Sequence, residues 1–556
     1  YFRCSDQDIV DVYYFLWAIY MMYYIDLSDE NPDFYPHTQT AVNNFLGIHR
    51  YDAAMQIPVG AWIADKEAYA NGNVLRWKTM LEHADLASGV IPADNLGKTW
   101  YSGLNGGVTS HVSGAWKIYQ HSGDLNFLSE AYGFYRALMW DAMPGFWGRQ
   151  YEAADILGLM ALALGYPQSE ANHWQEVVNS ANFDSWFNYA WTNHGLTNFF
   201  TFANPNSPNY NGLGWSSLGY MLTKEFPNDK ARAMVETWAV DGPTGFLSDA
   251  DGHLSTGLLA VRPRNDWDKI SENAFFITPD TNAFMLLGMF ATNVDDHATK
   301  FALEHLKNYN MKWGIPIAPE AIDRSYELFG DQYSNFNAGK ILVILEGIFG
   351  LEYSIVDNSF TVADNLPLSW DFMESYVPIS DGMQTKWTYV RVDREENSGT
   401  STKTIEVLSD FAQTVHLEPW LEGKAILTAP DSFTPQAAPG HIAYTVSDES
   451  SVSLSIDLTE LNQRDLLNQS LRLSKFDDKI QINFGLGNEF LADTTVVLER
   501  SNNLDTETFE EVYRYQTVDD AEIMNNTISS EMTPYYFKIE DDDLSQESAF
   551  YRVRTE

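Results

Sequence analysis

From residue 8 to residue 349 the chain is a succession of helix-length segments, and most of them lack a clean polar face. The apolar spacing predicts helices over 8–25, 53–68, 72–83, 108–121, 125–139 and 151–164. It predicts six more over 168–188, 211–225, 228–239, 281–292, 296–308 and 338–349. A helix that is apolar all round has to be covered on every side. ILGLMALALG (156–165) is such a segment. Twelve such helices in sequence are buried economically as two concentric rings, which predicts an (α/α)6 barrel over 1–351. An irregular solenoid of helix pairs is the alternative, but the sequence shows no self-similarity at a period of roughly 34 or 40 residues.

After Glu352 the pattern changes to alternation. SFTVAD, KWTYVRVDRE, TKTIEVLSD and SVSLSIDL read as antiparallel strands separated by turn residues. This predicts a β-sandwich domain over 352–459, a polar linker over 460–470 and a second β-module over 471–556. The strands KIQINFGL, TTVVLERS, YYFKIE and FYRVR mark the second module. The fold class expected is therefore mainly α: an (α/α)6 barrel followed by two small β-sandwich-like modules.

The net charge of −43 excludes general binding to nucleic acid, since such a field repels phosphate. It also argues against docking on anionic membranes. A lone Cys4 permits neither an internal disulfide nor a thiol-rich zinc site. The longest apolar run, Ile9 to Ile25, contains Asp11 and has no basic flank, so it reads as a buried core helix and not as a membrane span. The opening at Tyr1 has no signal-like segment and reads as a fragment or mature form.

Several chemistries are absent from the sequence: no nucleophile elbow, no P-loop, no zinc-protease helix and no dinucleotide fingerprint. Asp249-Ala-Asp251-Gly252 opens like a calcium loop, but Ala260 stands where the closing acid would be. No metal and no cofactor is expected. The segments 192–212 and 242–279 are long, polar and aromatic, as the walls or lids of a site are. Carboxylates beside aromatics are what a glycosidase needs, with rings to stack on sugar faces and two carboxyl groups to cleave an acetal.

Three segments stand out as carriers of such groups. In HRYDAAMQ, Asp52 opens a helix, with His49 and Arg50 beside it. It either complements the helix dipole or holds sugar hydroxyls. In WDAMPGFWGRQYEAAD, a Pro/Gly/Trp loop leads to Glu152 in the first turn of an apolar helix; Asp141 is its rival as general acid. An aromatic, dehydrated setting favours the protonated carboxyl that an acid catalyst requires. In WGIPIAPEAID, two prolines fix the approach to Glu320, and an aromatic and amide stretch to Asn337 opens the last helix. Trp62, Trp147, Tyr210, Trp215 and Trp267 are candidate sugar platforms, although each is also a plausible core residue.

At these segments the chain resembles inverting (α/α)6 glycoside hydrolases, above all glycoside hydrolase family 63, which includes processing α-glucosidase and mannosylglycerate hydrolase. Trehalases and α-L-rhamnosidases are more distant relatives of that architecture. HRYDAAMQIPVGAW resembles the family's W-x-W-D-S-A-F-x-x-x-G helix start, which places Asp52 on its sugar-binding Asp. SGAWKIYQHSGDLNFLSEAY is similar to the A-x-W-E-I-Y-x-x-T-G-D-x-x-F-L-x-x-x-Y helix pair. The stretch from Trp313 to Ser354 resembles the family's last stretch, where a Glu supplies the general base; Glu320 stands at that position. The likeness covers about 1–350. The family's E-S-G-W-D-x-S-P-R and Y-W-R-G-P-V-W segments are not present; FWGRQYEAAD and ENAFFITPDTNAFMLLGMF stand in their places.

The region 352–459 is similar to the β-sandwich that follows the barrel in phosphorylases and rhamnosidases. The C-terminal module resembles repeats appended to secreted bacterial enzymes, which implies a secreted or periplasmic protein. The resemblance implies a hydrolase that cleaves an α-linked sugar from an oligo- or polysaccharide with inversion. Two rivals stand beside it. A polysaccharide lyase acting on a uronic-acid-containing glycan would draw on Asn43, Asn44, His111, His194 or Tyr210, with Arg262, Arg264 and Lys269 for the acid group. A non-catalytic glycan-binding protein is the other.

Overall fold

The computed structural model describes residues 1–29, 35–39, 50–82, 108–141, 150–180, 187, 191, 226–240, 276–277, 279–323, 327–330, 332–380, 382, 384–397, 400–422, 425–428, 436–438, 441–459, 472–476, 479–485, 495–501, 510–516, 536–541 and 550–555. The chain divides into two compact units. The first comprises 1–395, 403–420 and 430–455, and the second comprises 396–402, 421–429 and 456–556.

The helices of the first unit are α1 (Gln7–Met22), α2 (Arg50–Val59), α3 (Lys66–Tyr69), α4 (Asn71–Glu82), α5 (Val108–Ser122), α6 (Leu125–Asp141), α7 (Gln150–Ala163) and α8 (Gln168–Ser180). After them come α9 (Asn228–Val235), α10 (Pro279–Ala291), α11 (Asp295–Asn310) and α12 (Gly339–Leu342), which continues as a π-helical turn, Val343–Ile348. The helix expected over 211–225 lies outside the described residues.

Local chemistry sets several of these boundaries. Gly123 at φ +70° ends α5, a conformation that suits glycine. One residue on, Asp124 Oδ1 accepts from the backbone N–H groups of Asn126 and Phe127 at 2.9 and 3.0 Å, which opens α6. A cap of this kind is worth about 1 kcal/mol. The single helix expected over 53–68 is broken. Helix α2 carries Pro58 in its last turn and passes into a 3-10 turn, Gly60–Trp62, before Asp65 caps α3 by accepting from Ala68 N at 3.0 Å.

Helix α1 differs from the expected all-round burial. Ile9, Val10, Val12, Tyr13, Leu16, Ile19 and Tyr20 face inward, whereas Tyr14, Met21 and Met22 are exposed. Residues 24–25, expected to extend the helix, instead form a strand that pairs with His37–Thr38. Among the described residues no helix is long and apolar enough to cross a membrane. The segment 156–165 is also covered on one side only. Leu157, Met160 and Ala161 are buried, but Leu159 and Leu162 are each 44% exposed.

Five of these helices pack as a row: α7 against α5, α5 against α2, α2 against α12 and α12 against α10. Behind them α8 packs on α7, α6 and α4 on α5, α11 on α10, and α1 on α11 and α12. A continuous core of Ile57, Val74, Trp77, Val112, Ile118, Leu128, Tyr135, Leu157 and Trp174 joins α2 and α4 to α8.

Strands take over at Leu351. Leu351–Ser354 pairs with Ser359–Val362, which then runs parallel to Thr400–Leu417. The sheet continues through Phe372–Ser380, Thr385–Asn397, Thr400–Leu417 and His441–Thr459. Alternation buries Val390, Val392, Ile405, Val407, Val415 and Leu417 on one face. One strand of this sheet lies where only helices were expected. Phe2–Cys4 (β1) pairs antiparallel with Phe372–Ser380, Phe2 opposite Ser375.

In the second unit Ala425–Thr428 pairs with Asp457–Thr459, and Thr402 Oγ1 donates to Asp457 Oδ1 at 2.7 Å. Two antiparallel three-stranded sheets follow. One joins Arg472–Phe476, Lys479–Gly485 and Tyr536–Asp541; the other joins Glu510–Gln516, Thr495–Ser501 and Phe550–Thr555. The four strands expected in this region are all present.

Candidate functional site

Two of the candidate acids, Asp52 and Glu152, fall at helix starts in the packed row. Arg50 and Asp52 are the first and third residues of α2, Glu152 lies in the first turn of α7, and Glu320 belongs to the segment that leads into α12. Asp141 is the last residue of α6, at the opposite kind of helix end. His49, Trp147, Tyr210, Trp215 and Trp267 lie outside the described residues.

Glu320 is the best defined of these. It precedes a small hairpin in which Ala321–Asp323 pairs with Leu328–Phe329, and Phe276–Ile277 adds a third strand. Its side chain lies over Gly330, whose φ is +73°. A Cβ at Gly330 would stand 2.0 Å from Glu320 Oε2, so the half-buried carboxylate occupies space that only glycine leaves open. The adjoining 3-10 turn, Asn335–Asn337, packs against α1, α2 and α10, which brings the segment carrying Glu320 beside the helix carrying Asp52.

Hydrogen bonds fix this arrangement. Asn335 Nδ2 donates to the Gln39 carbonyl at 2.9 Å, and Gln39 N donates to the Tyr23 carbonyl at 3.0 Å. Tyr20 OH donates to the Gln56 carbonyl at 3.0 Å and accepts from Asn73 Nδ2 at 2.8 Å, tying α2 to α1 and α4. His37, next to this network, is buried; burial pushes its pKa down to about 4, so the ring is neutral at neutral pH.

Trp62 is not a sugar platform. The structure buries it to 4% exposure, its ring stands edge-on to His121 at 4.6 Å, and its Nε1 donates to Glu346 Oε1 at 2.7 Å. A sugar needs an open ring face, and this ring has none. Lys117 binds the other oxygen of Glu346, so Trp62 belongs to a structural cluster within the π-helical turn's surroundings. Burial, together with Lys66 and Lys117, holds His121 well below its ordinary pKa. Burial also lowers Lys66 to about 7. Among the lyase candidates, His111 is buried against Trp77, with ring centroids 5.0 Å apart. Among the described residues no three His, Cys, Asp or Glu side chains stand close enough to hold a metal ion.

No family model and no curated protein matches the sequence. Solved structures do match the fold. One from Dictyoglumus thermophilum covers 83% of this chain and 50% of its own, at 11% identity and TM-score 0.47. Another, from Streptomyces avermitilis and complexed with L-rhamnose, covers 82% and 42% at 12% identity and TM-score 0.45. A third, from Aspergillus terreus, covers 82% and 50% at 13% identity and TM-score 0.43. These proteins are α-L-rhamnosidases. The chain spans about half the length of these rhamnosidases or less. With each TM-score below 0.5, no residue role is carried over from them.

The sequence reading missed the residues behind Glu320. Lys340 is a lone cation in the apolar stretch GKILVILEG, and it is fully buried with Tyr309, Asn310 and Asn337. A charge at that place in an apolar helix was the available signal.

Proposed function

We propose that this chain is a glycoside hydrolase that cleaves an α-linked sugar by an inverting, two-carboxylate mechanism. The observation that carries the reading is the placement of Glu320: a carboxylate held over a glycine, on a segment whose adjoining turn packs against α2. In this reading the row α7, α5, α2, α12 and α10 is five-sixths of the inner ring of an (α/α)6 barrel, and the helix starts carrying Asp52 and Glu152 open on one mouth. Glu320 acts as general base and draws the proton from a water that attacks the anomeric carbon. Glu152, or Asp141 in its place, gives a proton to the departing oxygen. Asp52 holds sugar hydroxyls. An inverting pair stands about 6.5–9.5 Å apart to admit the water. The acidic charge and the appended β-module support an exported enzyme.

Aryl glycosides test the reading. The panel takes α-D-glucoside and α-D-mannoside from the sequence resemblance and α-L-rhamnoside from the matched structures. Release of nitrophenol from one of them, with the opposite anomer seen first by proton NMR, is the expected result. Retention of configuration would require a covalent intermediate. Digestion of an anionic polysaccharide that leaves an ultraviolet-absorbing unsaturated uronate, with no aryl glycoside cleaved, would put a lyase in its place.

A further inference from the structure

We infer that Lys340 is a positioning residue for Glu320, acting through two asparagines that clamp the backbone in front of it. This rests on the reading of Glu320 as the general base.

The ammonium of Lys340 is fully buried. It donates to Asn310 Oδ1 and Asn337 Oδ1, both at 2.8 Å, and lies 3.7 Å from the centroid of the Tyr309 ring. Amide oxygens and a ring face offset the cost of burying a cation. A lysine has donors only, so each amide must turn its oxygen toward it. That leaves each Nδ2 group to donate elsewhere, the Asn310 amide also reaching Asn337 Oδ1 at 3.2 Å. Asn310 Nδ2 donates to the Ile317 carbonyl at 2.7 Å, and Asn337 Nδ2 donates to the Pro319 carbonyl at 2.9 Å. Tyr309 OH donates to the same Pro319 carbonyl at 3.0 Å.

The clamp closes from both sides of the segment 317–320. Ile317 N donates to the Asn310 carbonyl at 2.7 Å, Ser334 N to the Ala318 carbonyl at 2.6 Å, and Asn337 Nδ2 to the Ser334 carbonyl at 3.1 Å. Pro319 is the residue immediately before Glu320. The buried charge thus sets the sense of two amides, the amides fix two carbonyls, and the carbonyls fix where the carboxylate begins. A neutral side chain at 340 would let both amides rotate, and the segment 317–320 would lose its register.

Two variants separate this from a merely structural role. Lys340→Met removes the charge. Asn337→Asp keeps the volume and gives Lys340 a carboxylate partner, so folding is supported, but it removes the donor to Pro319. The probe is the 4-nitrophenyl glycoside that the wild type cleaves, assayed with and without sodium azide. Azide needs no base: its terminal nitrogen bonds to the anomeric carbon as the bond to nitrophenolate breaks, and no proton has to be removed. Glu320→Ala is the reference, expected to lose on the order of 10²–10⁴ in kcat and to recover with azide.

Misplacement of a reacting group by about 1 Å costs roughly 10²-fold. Both variants should therefore lose on the order of 10- to 100-fold in kcat, keep KM within about twofold, and recover with azide as Glu320→Ala does. Normal kcat in Asn337→Asp overturns the inference, and so does a loss in a folded variant that azide does not restore. If Lys340→Met does not fold, Asn337→Asp decides alone. A wild type that cleaves no aryl glycoside, or a fully active Glu320→Ala, overturns the base reading itself and the inference with it.

Discussion

Lys403 and Asp364 form an ion pair that solvent does not reach: Nζ lies 3.1 Å from Oδ1, and both side chains are 0% exposed. The other oxygen of Asp364 accepts from Trp420 N at 3.3 Å, and the ammonium also donates to the Trp420 carbonyl at 2.8 Å. Breaking one half of such a pair leaves a buried charge alone, which costs about 3–5 kcal/mol. Lys403→Met should lower the stability of the first unit by that amount in urea unfolding. The double variant Lys403→Met/Asp364→Asn should recover a large part of it.

A second buried contact makes stability depend on pH. His441 Nε2 lies 3.5 Å from Asp295 Oδ2, and Nδ1 lies 2.7 Å from the Glu418 carbonyl. Burial pulls the imidazole's pKa down, but Asp295, the Glu418 carbonyl and the nearby Asp364 outweigh it, and the net shift is upward from 6.5. The folded state therefore binds the proton more tightly than the unfolded state. The stabilisation is complete below pH 6.5 and is lost as pH rises through the higher folded value. His441→Phe should accordingly cost more stability at about pH 5.5 than at about pH 8.5. An equal cost at both, read from urea midpoints, would show that the contact is not ionic.

Gly330 offers a test of site geometry that leaves the core alone. Gly330→Ala puts a methyl group where Glu320 Oε2 now sits, in a backbone conformation that costs an L-residue about 1–2 kcal/mol. On the base reading the variant should stay folded and lose roughly 10²-fold in kcat, because the carboxylate must move. Full activity would mean that the position of this carboxylate does not matter to turnover.

The identity of the acid is decided by leaving groups. Glu152→Gln should lose on the order of 10²–10⁴ on a sugar leaving group and much less on nitrophenol, which departs without protonation. Asp141→Asn should be near wild type on both. The reverse pattern would assign the acid to Asp141.

Helices were legible wherever apolar spacing and turn chemistry agreed. The Gly123–Asp124 junction could be read directly, because a C-terminal glycine and an N-cap are local signals. Local signals could not show β1, since Phe2–Cys4 becomes a strand only through its pairing with Met373–Ser375. Trp62 was misread for a related reason. An aromatic near a candidate site looks the same in sequence whether its ring is open or spent on Glu346, 284 residues away. Glu320 stands out in the sequence through its prolines, but the groups that hold it do not. Asn310, Asn337 and Lys340 act together through contacts that no spacing rule encodes.

The pairing of β1 with Phe372–Ser380 also has a consequence for synthesis. Phe2 cannot find Ser375 until the ribosome has added more than 370 further residues. At the usual rates of translation that wait is roughly 20–75 s. Through that time Phe2–Cys4 is without this partner, while the helices after it are free to pack. The nascent chain must be kept from pairing that segment elsewhere until Met373–Ser375 is made.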